Sequence, residues 1–147
     1  MSKRYPTLRD EDTEQQIVIE WSKWAAGQHP ELRLLHHIPN GGSRNEVEAA
    51  KLKRIGVLAG VSDLHLPVPK GCYCGLYIEM KSANGRLRAS QKEFLTAAAS
   101  YGNYCCVCYS AEDAVKVISD YLKLNSTRSE MLTPNLSTIR KGKVKLL

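Results

Sequence analysis

The run from Tyr73 to Ser82 constrains this chain more than any other segment. Leu76, Ile78 and Met80 alternate with Tyr77, Glu79 and Lys81, which is the two-residue period of a β-strand. One face of that strand is apolar. The other carries a carboxylate and an ammonium two residues apart. Taken alone, such a pair is a solvent-facing ion pair worth less than about 1 kcal/mol. Its meaning depends on what the rest of the chain brings to the same face.

Helical and strand patterns alternate around this segment. Thr13 and Gln16 have capping-box spacing, and Ile17, Val18, Trp21, Trp24 and Ala25 recur at helical intervals until Gly27 and Pro30, which predicts a helix beginning near Thr13. Glu14 falls in the middle of the apolar stripe and is expected to point inward, an unusual place for a glutamate. Residues 34–38 read as a short strand and 39–43 as a turn cluster. A helix is expected from Glu46 to Ile55, closed by Gly56. Asp63 to Val68 alternates as a strand with Leu64, Leu66 and Val68 on one face.

Beyond the central strand, Asn84-Gly85 turns the chain. Ser90 and Glu93 suggest a capping box for a helix carrying Phe94, Leu95, Ala98 and Tyr101 and closed by Gly102. Tyr104 to Tyr109 is an apolar strand. Ser110 and Asp113 open a last helix with Ala114, Val115, Ile118, Tyr121 and Leu122. Strands interleaved with helices predict an α/β fold, with helices packed around a central mixed sheet. The organisation expected is a polar lead-in over 1–11, one domain over 12–123, and a basic Ser/Thr-containing tail over 124–147.

Composition narrows the function. The chain has 147 residues, 43% hydrophobic and 24% charged, as in an ordinary globular domain. No apolar stretch approaches the roughly 20 residues that span a bilayer, and the polar start has no signal-peptide h-region. A cytoplasmic protein with no membrane partner is expected. Five cysteines without a secretory signal are expected to be reduced. Their C-x-C and C-C-x-C spacings lie in strand-like stretches and suit packing better than zinc. The net charge is +6, and residues 44–92 carry nine basic and four acidic side chains, which hints at a polyanionic partner.

Asp63, Glu79 and Lys81 form the constellation with chemical content. If their strands pair, Asp63 and Glu79 converge at one end of the sheet. Two carboxylates supply hard oxygen ligands for Mg²⁺, which usually keeps several waters. A metal there polarises a phosphoryl oxygen and acidifies a bound water, and a lysine on the same face stabilises charge building on the phosphorus oxygens. Glu14 is a candidate for a further metal position.

Several linked motifs then stand in one order. They are His37-Ile38-Pro39-Asn40-Gly41-Gly42-Ser43-Arg44, Ala50 to Val57, Gly60-Val61-Ser62-Asp63-Leu64, Gly75 to Lys81, Ser90-Gln91 and Tyr121-Leu122. In these the chain resembles a VRR-NUC domain, the virus-type replication–repair nuclease branch of the PD-(D/E)XK superfamily, over roughly residues 12–123. The resemblance implies a restriction-endonuclease-like core and catalytic residues at Asp63, Glu79 and Lys81, with Asp63 and Glu79 as metal ligands for Mg²⁺ or Mn²⁺. It places the acid of the N-terminal helix at Glu14, and a helix glutamine at Gln91. It also implies a small stand-alone, phage-like member acting as a homodimer on branched or double-stranded DNA in a bacterial or phage-infected cell, most simply as a Holliday-junction resolvase. A flap or repair nuclease, or a DNA-binding protein that has kept the fold without activity, are the competing readings. Ser62 stands where the family usually has proline. Asn40, Gly41 and Gly42 are candidates for a loop approaching phosphate, and Arg44, Lys51, Lys53, Arg54, Arg86 and Arg88 for phosphate contacts.

Overall fold

The computed structural model describes residues 8–40, 45–125, 136–140 and 143–146. The expected loop residues Gly41, Gly42 and Arg44 lie outside the described residues.

The first helix, α1 (Glu11–Ala25), begins two residues before the sequence suggests. Asp10 is its N-cap, and the Asp10 side chain accepts a hydrogen bond from the Thr13 amide at 2.8 Å. A carboxylate at the N-cap satisfies an otherwise orphaned amide and faces the positive end of the helix dipole, so it displaces the Thr13 cap. A 3-10 turn (Pro30–Leu34) follows and leaves only β1 (His36–His37) of the expected strand. Helix α2 (Glu46–Arg54) is capped by Asn45. Strands β2 (Leu64–Leu66) and β3 (Leu76–Met80) lead to α3 (Ala89–Ser100), β4 (Tyr104–Cys108) and α4 (Ala111–Leu122). The C-terminal stretch read as a basic arm contributes β5 (Leu136–Arg140) and β6 (Lys143–Leu146).

The strands form one mixed sheet in the order β1-β2-β3-β4-β5-β6. Pairing is antiparallel from β1 to β3, parallel from β3 to β5, and antiparallel again between β5 and β6. Helices α1 and α4 pack together on one face, with Val18, Leu64, Leu66, Leu76, Ile78, Met80, Ile118 and Tyr121 in the larger core. Helix α3 covers the other face through Leu95 and Ala99 against Cys105 and Val107. The α/β expectation holds, and the alternation in β3 explains it. Leu76, Ile78 and Met80 enter the larger core, while Tyr77 packs toward α3.

Strand β4 is buried on both faces, and this is why its sequence reads as an unbroken apolar run. Cys105, Cys106 and Cys108 are part of that packing. All five cysteines are free thiols, and burial pushes the Cys105 thiol up to about 12. No group of His, Cys, Asp and Glu forms a three-ligand metal cluster among the described residues, thiols included. Among them, too, no helix is long and apolar enough to cross a membrane.

Glu14 is buried, as its stripe position predicts, and its partners lie at the start of α4 and in the segment before α1. Its Oε2 accepts a hydrogen bond from the Ala111 amide at 2.6 Å, the first residue of α4, and its Oε1 sits 3.1 Å from Arg9 Nε. Arg9 in turn donates to both oxygens of Glu112 at 2.8 and 3.0 Å. A buried carboxylate between two helices is satisfied by an orphan helix-start amide and a guanidinium. Glu14 therefore ties α1 to α4 and does not reach the charged face of β3. Glu14→Ala is expected to destabilise the protein by about 1–3 kcal/mol in a urea melt. A variant of native stability would contradict this.

Candidate active site

The register of β2 and β3 sets Leu64 opposite Ile78 and His65 opposite Tyr77. One residue further along, Asp63 stands opposite Glu79 on the face that also carries Lys81. The two strands are locked there, because Asp63 Oδ2 accepts the Met80 amide at 2.8 Å. Glu79 and Lys81 are 1% and 4% exposed. Lys81 Nζ lies 2.7 Å from Glu79 Oε1, so the pair is a buried ion pair and not the solvent-facing one that the spacing alone allows.

Helix α3 supplies the third member. Gln91 Oε1 accepts the Arg88 amide at 2.9 Å, and its Nε2 donates to Glu79 Oε1 at 2.6 Å. The helix-start hydrogen bond thus comes from Arg88 and Gln91 rather than from Ser90 and Glu93. The same amide that caps α3 orients the carboxylate of β3. Gly60, at φ +85°, makes the approach possible, because any Cβ there would overlap the Ser90 carbonyl.

Glu79 Oε1 therefore carries both the ammonium and the amide. Its Oε2 is buried without a hydrogen-bond partner among the described residues. Burial, and next the negative charge of Asp63, push the Glu79 carboxyl up to about 7 although Lys81 opposes them. Burial likewise raises Asp63, against the Met80 amide and Lys81. A buried carboxylate with one oxygen unmet is costly unless something cationic completes it. The fit with a hard divalent cation is good, since Mg²⁺ takes one or two carboxylates and fills its remaining positions with water and phosphate oxygens.

These groups line a cavity of about 320 Å³. Glu11 lines it as well. Glu11 Oε1 accepts the Ser82 amide at 3.2 Å, and its Oε2 is 3.8 Å from Lys81 Nζ. Asp12 and Gln15 are also at the wall. The acids that α1 contributes to this cavity are thus Glu11 and Asp12, in the turn before Glu14. Starting the helix at Thr13 puts Glu11 in the lead-in and hides it; the Asp10 cap was the signal that would have found it.

Of the candidate DNA contacts, Asn40 and Arg88 line the cavity. Asn40 Nδ2 donates to the Leu58 carbonyl at 2.6 Å and pins two loops together. Lys51, Lys53 and Arg54 are exposed on α2, and Arg86 is exposed in the turn after β3 without reaching the cavity. His37 is at the wall, its Nδ1 donating to the Asp63 carbonyl at 2.7 Å. His36 instead meets His65 edge to face, and His65 stacks on Tyr77. Ser62 is fully buried, its hydroxyl unpartnered among the described residues.

The VRR-NUC domain matches residues 5–112. The chain belongs to the VRR-NUC family. A solved structure named as a VRR_NUC domain protein is 33% identical, with a TM-score of 0.73 over 85% of this chain and 99% of its own. No curated protein matches. Membership places the chain among nucleases of the PD-(D/E)XK kind, which act on DNA and generally use divalent metals.

A cation must displace the proton that Glu79 holds below its raised pKa. Mg²⁺ or Mn²⁺ affinity, measured by calorimetry, is expected to rise about tenfold per pH unit up to about 7 and then level off. A flat affinity between pH 5.5 and 7 would contradict this.

Proposed function

We propose that this VRR-NUC protein is a Mg²⁺- or Mn²⁺-dependent, structure-selective endodeoxyribonuclease that acts on branched DNA as a homodimer, with the four-way junction as its substrate. The observation that carries the hydrolytic part is the buried Glu79, held at one oxygen by Lys81 and Gln91 and unmet at the other, beside Asp63 in an open cavity.

Asp63 and Glu79 would hold the metal in this reading, with Glu11 Oε2 3.8 Å from Lys81 Nζ. The bound metal supplies Lewis-acid polarisation of the phosphoryl oxygen and a more acidic water. Lys81 presents its ammonium to the cavity, where it would offset the negative charge that grows on the phosphoryl oxygens as a water oxygen, giving up its proton, forms the new P–O bond and the bridging P–O bond breaks, its electron pair leaving on the departing oxygen. Gln91 is a positioning residue that fixes the rotamer of Glu79. Lys51, Lys53, Arg54, Arg86 and Arg88 offer cationic side chains for backbone phosphates, contacts that position DNA without reading sequence.

The junction preference rests on family resemblance and on dimer symmetry, since a two-fold pair of sites suits two symmetry-related strands. End-labelled four-way junction, flap, duplex and single-stranded DNA, each with Mg²⁺, Mn²⁺ or EDTA, tests the reading. Paired, metal-dependent nicks in the junction are expected. Cleavage of flaps with intact junctions would replace the resolvase assignment with a flap nuclease. Binding without cleavage under either metal would replace the enzyme with a DNA-binding protein.

A further inference from the structure

Helix α2 buries none of its residues. Val47, Ile55 and Leu58 on and just after it are 81%, 69% and 60% exposed. These apolar side chains serve no core, and a grouped set of this kind marks a surface that meets something. Of these, Leu58 lines a groove of about 700 Å³ together with Leu52 and Val57, with Lys53 and Arg88 beside them. The groove and the active-site cavity share Asn40, Gly60, Arg88 and Ser90 as lining residues. The two cavities are neighbours, with the loop around Gly60 between them.

That loop is rigidly held. The Asn40–Leu58 hydrogen bond ties it on one side, and the close approach of Gly60 to the Ser90 backbone ties it on the other. The groove thus combines apolar side chains with cationic ones and lies next to the cavity that holds the carboxylates.

Paired B-DNA offers a protein mostly phosphates and base edges, which Lys53 and Arg88 suit but Leu52, Val57 and Leu58 do not. An unstacked nucleotide offers both an anionic phosphate and a broad apolar base face. Resting on the nuclease reading above, we propose that this groove takes an unpaired nucleotide next to the scissile phosphate, so that the enzyme selects DNA whose bases are already splayed at the cut site. A branch point provides such a nucleotide at low cost, whereas intact duplex must first pay to unstack one.

The test uses full-length protein and a branched DNA carrying 2-aminopurine beside the cut site. Its fluorescence, read in EDTA, is expected to rise on binding. In the exposed variants Val57→Ser and Leu58→Ser the rise is expected to shrink, and the preference for branched over duplex DNA in metal to fall about tenfold. Wild-type enzyme that cuts branched DNA while the probe stays silent would overturn the inference and leave the nuclease reading standing. So would variants that keep the full preference, or variants whose main effect is a changed oligomeric state in sedimentation, which would give the apolar surface to a second copy of the chain. Wild-type protein that neither binds nor cuts any DNA would overturn both readings.

Discussion

A lysine ammonium buried 2.7 Å from a buried glutamate is the interaction on which the arrangement depends. Lys81 and Glu79 are both almost wholly buried, so each charge needs the other, and removing either would strand its partner. The pair exists because a strand returns the same face every second residue. It is out of solvent because α3 closes over that face and α1 reaches its end. Gln91 and Glu11 arrive with those helices, one donating to Glu79 and the other lying 3.8 Å from Lys81. Asp63 then adds a second carboxylate and raises the cost further. Such a site is a poor stabiliser of the fold. It is a good receptor for a cation, which relieves the crowding of negative charge and meets the unpartnered oxygen of Glu79.

Much of this was legible in the sequence where one local rule decided the outcome. The β3 alternation separated Ile78 and Met80 from Glu79 and Lys81, and the structure sends them to opposite faces. Ser110 was read as the cap of α4, and its hydroxyl accepts the Asp113 amide. Gln91 came only from the family motif, since no spacing rule shows that one side chain both caps its own helix and steers a strand 12 residues earlier. The illegible parts involved competing local signals. Thr13 and Ser90 were read as caps where Asp10 and Arg88 hold those places, and the choice of Thr13 moved Glu11 out of the helix. Glu14 was correctly read as inward. Its partner, the amide of Ala111, is 97 residues away in sequence, and only tertiary packing reveals it.

The loop from Ile55 to Ser62 runs between the groove beside α2 and the carboxylate cavity. It carries the exposed apolar residues of the groove, the glycine that lets α3 close on the site, and the buried Ser62 that precedes Asp63. Proline in place of Ser62 would restrict φ there; serine instead leaves a buried hydroxyl unpartnered among the described residues. In this family member the approach to Asp63 is thus built by packing around Gly60 and Ser62, with the Met80 amide fixing the aspartate itself.

The central claim is that Asp63 and Glu79 form one hydrolytic centre. The most direct test is single-turnover cleavage of labelled branched DNA by Asp63→Asn, with DNA affinity measured on the same preparation. Asparagine keeps an oxygen for the Met80 amide and removes only the charge. The account predicts native-like binding and a cleavage rate at least about 100-fold lower. Cleavage at the wild-type rate would contradict it and move the chemistry to another part of the molecule.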